Sequence, residues 1–205
     1  STTSEIIDQL LVGKQVILPR STTQTTEFGS DNPDAYDLGF ILADGTVSST
    51  AGVFAELYSN ADKNLPLNVV KGKTCVSSYA GTEFYRAYWK NIDVEFVKQL
   101  KYQPGLMSEI FGWSKKSIID FIAGWIDGDG SKNENGGFRI YGVEQKIRDA
   151  QLLFNKLGVR STVCKARKAG DVTNFCSFTR DLYYINVVEF NPNEVPLYSN
   201  RFDLA

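Results

Sequence analysis

Apolar residues recur at helical spacing in two stretches that end alike. In the longer one, Ile118, Ile119, Ile122, Trp125 and Ile126 follow Ser114, a good helix cap, and the run stops at Gly128-Asp129-Gly130. This predicts a helix over 115–128. Upstream, Asp37-Leu38-Gly39-Phe40-Ile41-Leu42-Ala43-Asp44-Gly45 repeats the frame, with Gly39 matching Gly124, Ile41 matching Ile126, and Asp44-Gly45 matching Asp129-Gly130. Pro33-Asp34 opens that helix, proline being tolerated at a first turn. In both copies the helix stops at glycine, which supplies backbone freedom at a helix end. After the first copy the pattern changes to strands over 53–58, 74–79 and 84–89, with a turn at Ala80-Gly81-Thr82. A short helix over 93–101, with Val94, Val97 and Leu100 inward, runs to Pro104-Gly105. The second half repeats the order with strand 138–143, helix 144–157 closed by Gly158, and strands near 160–167, 173–179 and 182–188. Where the second half has its long helix, the first is expected to have a loop over 59–72.

The opening belongs to neither copy. A short helix over 3–11 and a brief strand over 14–19 precede a polar stretch with linker composition over 20–33. The chain therefore divides into an N-terminal segment and linker (1–33), a first half (34–113) and a second half with a short tail (114–205). The expected class is α+β, with two pseudo-symmetric helix-plus-sheet halves.

Two features of the repeated helix point to a site. Ala123 and Gly124 are small and adjacent in an apolar helix, so another backbone can approach closely there. Asp127 and Asp129 stand at the carboxyl end, where the helix dipole repels negative charge unless a cation is near. Composition narrows the chemistry further. In 205 residues, hydrophobic content is 42% and aromatic content 13%, values of a globular chain with a real core. No apolar run reaches membrane-spanning length and no export signal opens the sequence. Three cysteines without a CxxC pair argue for a reducing, intracellular setting, and the absence of histidine removes histidine triads and histidine-ligated metals. The net charge is −2, but residues 131–180 hold ten Lys or Arg against four acids, whereas the first 45 hold two against seven. Basic charge gathered in one region can bind phosphates despite an acidic average.

The paired pattern resembles the LAGLIDADG motif of homing endonucleases, over roughly residues 34–196. The resemblance implies that the two motif helices pack side by side about a pseudo-two-fold axis, with Gly39 facing Ala123 and Gly124, and that the sheets form a saddle over DNA. It implies a monomer that cuts both strands of double-stranded DNA at a long, nearly non-palindromic site. The last acid of each motif carries the chemistry, which assigns Asp44 and Asp129, with the carbonyls of Ala43 and Gly128 as further ligands. Two carboxylates brought together repel, and a hard divalent cation such as Mg²⁺ relieves this. Asp127 has no acidic counterpart, because Leu42 holds that place, and is read as a capping or packing acid.

Intein-borne members of the family carry a basic residue in a Lys-x-x-Pro setting, which Lys101-Tyr102-Gln103-Pro104 fits. Lys101 is accordingly assigned to the catalytic set, where an ammonium would stabilise charge at the scissile phosphate. The corresponding second-half block is Asn193-Glu194-Val195-Pro196, with Asn193 in place of lysine. No protein-splicing elements accompany the motifs, so a free-standing or excised endonuclease unit is expected. Period-2 alternation puts Cys164 and Ala166 on one face of their strand and Ser161, Val163, Lys165 and Arg167 on the other. The residues assigned to DNA are Arg86, Arg139, Tyr141, Lys165 and Arg167. The competing reading is a DNA-binding or maturase-like RNA-binding protein on the same fold, without cleavage.

Overall fold

The computed structural model describes residues 28–57, 69–79, 82–132, 137–173, 176–187 and 195–198. In chain order the elements are α1 (Ala35–Asp44), β1 (Gly45–Ser48), β2 (Gly52–Leu57), β3 (Lys73–Tyr79), β4 (Thr82–Trp89), α2 (Val94–Tyr102), a 3₁₀ turn (Ser108–Gly112), α3 (Lys115–Asp129), β5 (Ser131–Lys132), β6 (Phe138–Gly142), α4 (Glu144–Lys156), β7 (Ser161–Arg167) and β8 (Leu182–Val187). Two four-stranded antiparallel sheets form, in the orders β1-β2-β4-β3 and β5-β6-β8-β7, so each half has the same strand order. The expected α+β arrangement of two helix-plus-sheet halves is present.

The halves meet through α1 and α3, which make the most extensive contact between any two elements. Their packing is parallel and in register. A Cβ at Gly39 would lie 1.9 Å from the Phe121 carbonyl oxygen, and one at Gly124 would lie 2.0 Å from the Tyr36 carbonyl oxygen. Gly39 and Gly124, like Tyr36 and Phe121, are related by the same offset of 85 that separates Asn32 from Ser117. Those last two join the helix starts, the Asn32 amide donating to Ser117 Oγ at 2.7 Å. A further close approach sets Gly128 against Ala43. Ala123 is fully buried in the same helix, but the backbone-to-backbone approaches fall on the glycines. Because the helices run parallel, both carboxyl ends lie on one side of the molecule.

The helix starts follow capping chemistry. Ser114 Oγ accepts from the Ser117 amide in α3, and Asp93 accepts from the Glu95 and Phe96 amides in α2. The helix ends correct the expectation from glycine. Gly45 and Gly130 both have φ −70° and ψ 154°, an extended conformation open to any residue. What requires glycine is space: a Cβ at either position would lie 2.5 Å from the carbonyl oxygen of Ile41 or Ile126.

Each sheet turns one face to the helices. In the first half Val53, Ala55, Leu57, Ala87 and Trp89 are buried there, and in the second Phe138, Ile140, Ile185 and Val187. Among the described residues of the segment read as a strand over 173–179, no strand forms: an isolated bridge joins Val172 to Ser177, and none of these residues is buried. Conversely, β1 and β5 follow directly on the motif helices and are too short for alternation to reveal. The expectations for 3–11, 14–19, most of the 59–72 loop, Ala80-Gly81 and Asn193 fall outside the described residues.

One buried acid ties the first half together. Asp37 is 2% exposed and accepts from Trp89 Nε1 at 2.7 Å and from the Lys71 amide at 2.8 Å. Burial pushes its carboxyl above the usual range, while the two donors pull it back down. Asp37→Ala would strand the buried Trp89 N–H and remove the acceptor of the Lys71 amide, at a cost of about 2–3 kcal/mol in chemical denaturation. Asp37→Asn keeps an acceptor and should lose clearly less; equal losses would show that the hydrogen bonds are not the cause.

Candidate functional site

Asp44 and Asp129 end the two parallel helices, each followed by a glycine whose amide donates back to an isoleucine carbonyl one turn earlier. Asp129 is exposed and Asp44 half-buried. Both carboxylates are close enough to Lys101 to act on it. Burial pulls the Lys101 ammonium below its ordinary value, and Asp129 and Asp44 push it back up. The ammonium itself sits on the carboxyl end of α1, donating to the carbonyls of Ile41 at 3.0 Å, Leu42 at 3.2 Å and Ala43 at 3.5 Å. A cation at a helix carboxyl end is favourable, and the ammonium here adds to the Gly45 amide on the Ile41 carbonyl and meets the carbonyls of Leu42 and Ala43. The structure thus brings Lys101, Asp44, Asp129 and the Ala43 carbonyl into one region, with Gly128 buried in the last turn of α3.

The donor set suits a hard divalent cation. It consists of two carboxylates and main-chain carbonyls at the negative ends of two helices, with no soft ligand. Among the described residues no group of three or more His, Cys, Asp or Glu stands together. A cation bound here would therefore take much of its shell from water and from a ligand's own oxygens, as Mg²⁺ does.

Asp127 does not belong to this set. It is fully buried, and its Oδ2 accepts from the Tyr36 hydroxyl at 2.8 Å and from the Tyr198 amide at 2.9 Å. The Tyr36 and Tyr198 rings meet edge to face, 5.4 Å apart. Asp127 is a packing acid that ties α3 to α1 and to the 195–198 segment. A cavity of about 380 Å³ near Lys71, Lys73, Tyr88 and Lys90 includes neither motif aspartate.

Sequence reasoning missed Lys146. It lies on α4, is 8% exposed, and donates to the Lys101 carbonyl at 2.5 Å. Burial, and then the neighbouring Lys101 ammonium, bring it from 10.5 down to about 8. Below pH 8 both folded and unfolded chains carry this proton, and the folded state bears the full cost of burying it. Between about 8 and 10.5 only the unfolded chain does, so stability rises with pH through that window. Relative to Lys146→Met, wild type should gain on the order of 2–3 kcal/mol between pH 7 and 11 in denaturant melts. Parallel pH profiles of the two proteins would refute this. The only sequence signal was a charged residue on the otherwise apolar stripe of Ile147, Ala150 and Leu153.

Directly opposed residues of antiparallel strands share a face, which sorts the DNA assignments. On the first sheet, Phe54 opposes Tyr88 and Glu56 opposes Arg86, on the face away from the helices. Arg86 lies over the Phe54 and Phe84 rings, donates to the Tyr88 hydroxyl at 3.4 Å, and is ion-paired to Glu56. On the second sheet, Arg139 opposes Asn186, Tyr141 opposes Tyr184, and Cys164 opposes Tyr184 from the other side, again on the outer face. Arg139 Nε donates to Asn186 Oδ1 at 3.4 Å and the guanidinium lies over the Tyr184 ring.

Lys165, assigned with Arg139 and Tyr141 to one DNA-facing surface, does not share their face. It opposes Tyr183, on the side of Val163 and Ile185, and its ammonium meets Asp181 at 2.5 Å above the Tyr183 ring. A register shift between Lys165 and Arg167 then brings Arg167 opposite Leu182, back on the outer face. The expectation that Val163, Lys165 and Arg167 all face one way is broken by this bulge. Tyr184 and Asn186, absent from the sequence assignment, complete the outer surface.

No protein-family model matches the chain, and no curated protein matches it. Among solved structures it is similar to I-DmoI in complex with DNA and calcium, at 18% identity and a TM-score of 0.46, over 75% of this chain and 81% of that one. I-DmoI in complex with DNA and manganese is similar at 17% identity and a TM-score of 0.46, over 75% and 88%. The N-terminal LAGLIDADG domain of DUF199/WhiA is similar at 12% identity and a TM-score of 0.43, over 93% and 96%. The functional reading rests on this chain's own residues.

Proposed function

We propose that the chain is a site-specific double-strand DNA endonuclease that hydrolyses phosphodiester bonds with a divalent cation, one motif aspartate serving each strand. The observation that supports it most is the parallel, in-register pairing of α1 and α3, which delivers Asp44 and Asp129 to one side with Lys101 in electrostatic reach of both. The two strands of a duplex present their scissile phosphates about an approximate two-fold axis, and a pseudo-two-fold pair of carboxylates matches that demand. Asp44 and Asp129, with the carbonyls of Ala43 and Gly128, would hold Mg²⁺. When bound, the cation supplies Lewis acidity and a more acidic water. The Lys101 ammonium adds fixed positive charge where charge develops on the phosphate. Arg86, Arg139, Tyr141 and Arg167 on the outer sheet faces contact the duplex, arginines reading guanine edges and other groups fixing phosphates. Lys165, off that face, is left to backbone contact. The two outer faces carry different side chains, which favours a long, nearly non-palindromic target and action as a monomer. The Lys-x-x-Pro block at Lys101 keeps an intein-related origin in view, and three free cysteines fit a reducing, intracellular setting.

A second reading is a binding protein that does not cut. It is favoured by the Lys101 hydrogen bonds, since an ammonium on three carbonyls also serves as a helix cap. The experiment is cleavage of a plasmid library of candidate sites with Mg²⁺, with Asp44→Asn and Asp129→Asn as controls. Linear product lost in both variants supports the endonuclease. Salt-sensitive retention of particular sites with no cleavage moves the reading to the binding protein.

A further inference from the structure

Helix α4, from the second half, lies along the segment that leaves the first half. Lys146 donates to the Lys101 carbonyl, Asp149 accepts from the Leu106 amide at 2.7 Å, and Lys156 donates to the Phe111 carbonyl. Residues 146, 149, 153 and 156 follow one another at spacings of three and four, so they share a helix face with the fully buried Leu153. Gln145 Nε2 donates to the other oxygen of Asp149 at 2.9 Å, fixing its carboxylate. Charged side chains on a buried stripe are costly, and an apolar residue would pack there without that cost. What they gain is specific: each meets a main-chain group of the segment from Lys101 to Phe111. The Lys101 carbonyl lies in the last turn of α2, beyond the Gln99 carbonyl that the Gln103 amide satisfies, where a helix leaves carbonyls to outside donors.

The geometry points to Lys146, supported by Asp149, as the positioning residue for Lys101. By fixing the carboxyl end of α2 from the other half, it holds the Lys101 ammonium on the α1 carbonyls, in reach of both motif aspartates. Lys146 acts through Lys101 and touches neither DNA nor cation. This inference rests on the endonuclease reading for its consequence, though not for its geometry.

The test is a double-mutant cycle in the full chain. Lys146→Met, Lys101→Met and the double variant are compared in single-turnover cleavage of a site recovered from the plasmid library, with DNA affinity measured alongside. Lys146→Met is expected to slow cleavage about tenfold or more through misplacement of the ammonium, with DNA affinity within about twofold. The double variant should be no slower than Lys101→Met alone, because the second change has nothing left to act through. Lys146→Arg should restore part of the rate. An equal slowing by Lys146→Met in both backgrounds overturns the inference, as does no slowing at all. A readout independent of activity is the proton NMR contact between the Lys101 side chain and Ile41, expected in wild type and lost in Lys146→Met. Its persistence in that variant overturns the inference. If wild type cuts no DNA, the endonuclease reading falls and the NMR contact alone decides whether Lys146 positions Lys101. Should Lys146→Met not fold, Lys146→Arg and Asp149→Asn go through the same cycle.

Discussion

Asp129→Asn is expected to lower Mg²⁺-dependent cleavage at least about a thousandfold while leaving the metal-free protein as stable as wild type, or more so. The two halves of this expectation have one cause. Asp129 stands at the carboxyl end of α3, where the last carbonyls already present negative charge. The helix end and the second carboxylate at the end of α1 disfavour a charge there, and the Lys101 ammonium in reach of both offsets this, so removing one charge changes metal-free stability little. Asparagine keeps the size and removes the charge. The side chain is exposed, so the exchange buries no unsatisfied group. Cleavage depends on the charge that stability does not need. Asp44→Asn should behave alike in cleavage. Stability is read from denaturant unfolding without metal, and rates from linear product. Undiminished cleavage in either variant removes the carboxylates from the mechanism. A large loss of metal-free stability in Asp129→Asn would make that residue a structural one.

The repeated helix was legible because its signals are local. Apolar spacing, a serine cap and the Asp-Gly end each act within a few residues, and α3 begins and ends within a residue of its expected bounds. The pairing of the helices followed from the resemblance carried by the repeated motif, and the backbones meet at Gly39 and Gly124, while Ala123 is buried without such an approach. What failed was non-local. The alternation of β7 predicts one face for Lys165 and Arg167, but a bulge resets the register, and its cause lies in the pairing with β8. Lys146 carried one local signal, its place on the apolar stripe of α4. Its partner is set by the path of the segment from Lys101 to Phe111, which lies outside α4. Arg86 shares a face with Phe84 and Tyr88 as alternation implies, yet its ion pair with Glu56 depends on the registry of β2 with β4.

Gly39→Ala and Gly124→Ala should each cost about 3 kcal/mol or more, and the leucine variants should not reach the native packing at all. The obstacle at both positions is backbone. A Cβ would lie 1.9 Å from the Phe121 carbonyl oxygen at Gly39 and 2.0 Å from the Tyr36 carbonyl oxygen at Gly124, and a peptide group cannot swing aside as a side chain can. The helices must separate or slide, and either movement displaces Asp44 from Asp129. Gly128→Ala meets the Ala43 methyl instead, at 2.2 Å, and that contact also lies in the helix seam, so a smaller but clear loss is expected. Gly112→Ala meets nothing within 4 Å and serves as the control, within about 0.5 kcal/mol of wild type. Denaturant midpoints should therefore rank Gly39 and Gly124 as most sensitive, then Gly128, then Gly112. A neutral result at Gly39 and Gly124 would mean that the helices do not touch through these glycines, and the pairing of the aspartates would lose its structural basis. The ranking also separates stability from chemistry. A folded Gly128→Ala protein that retains DNA affinity but cuts slowly would show that the spacing of the two helix ends, and not merely their presence, sets the rate.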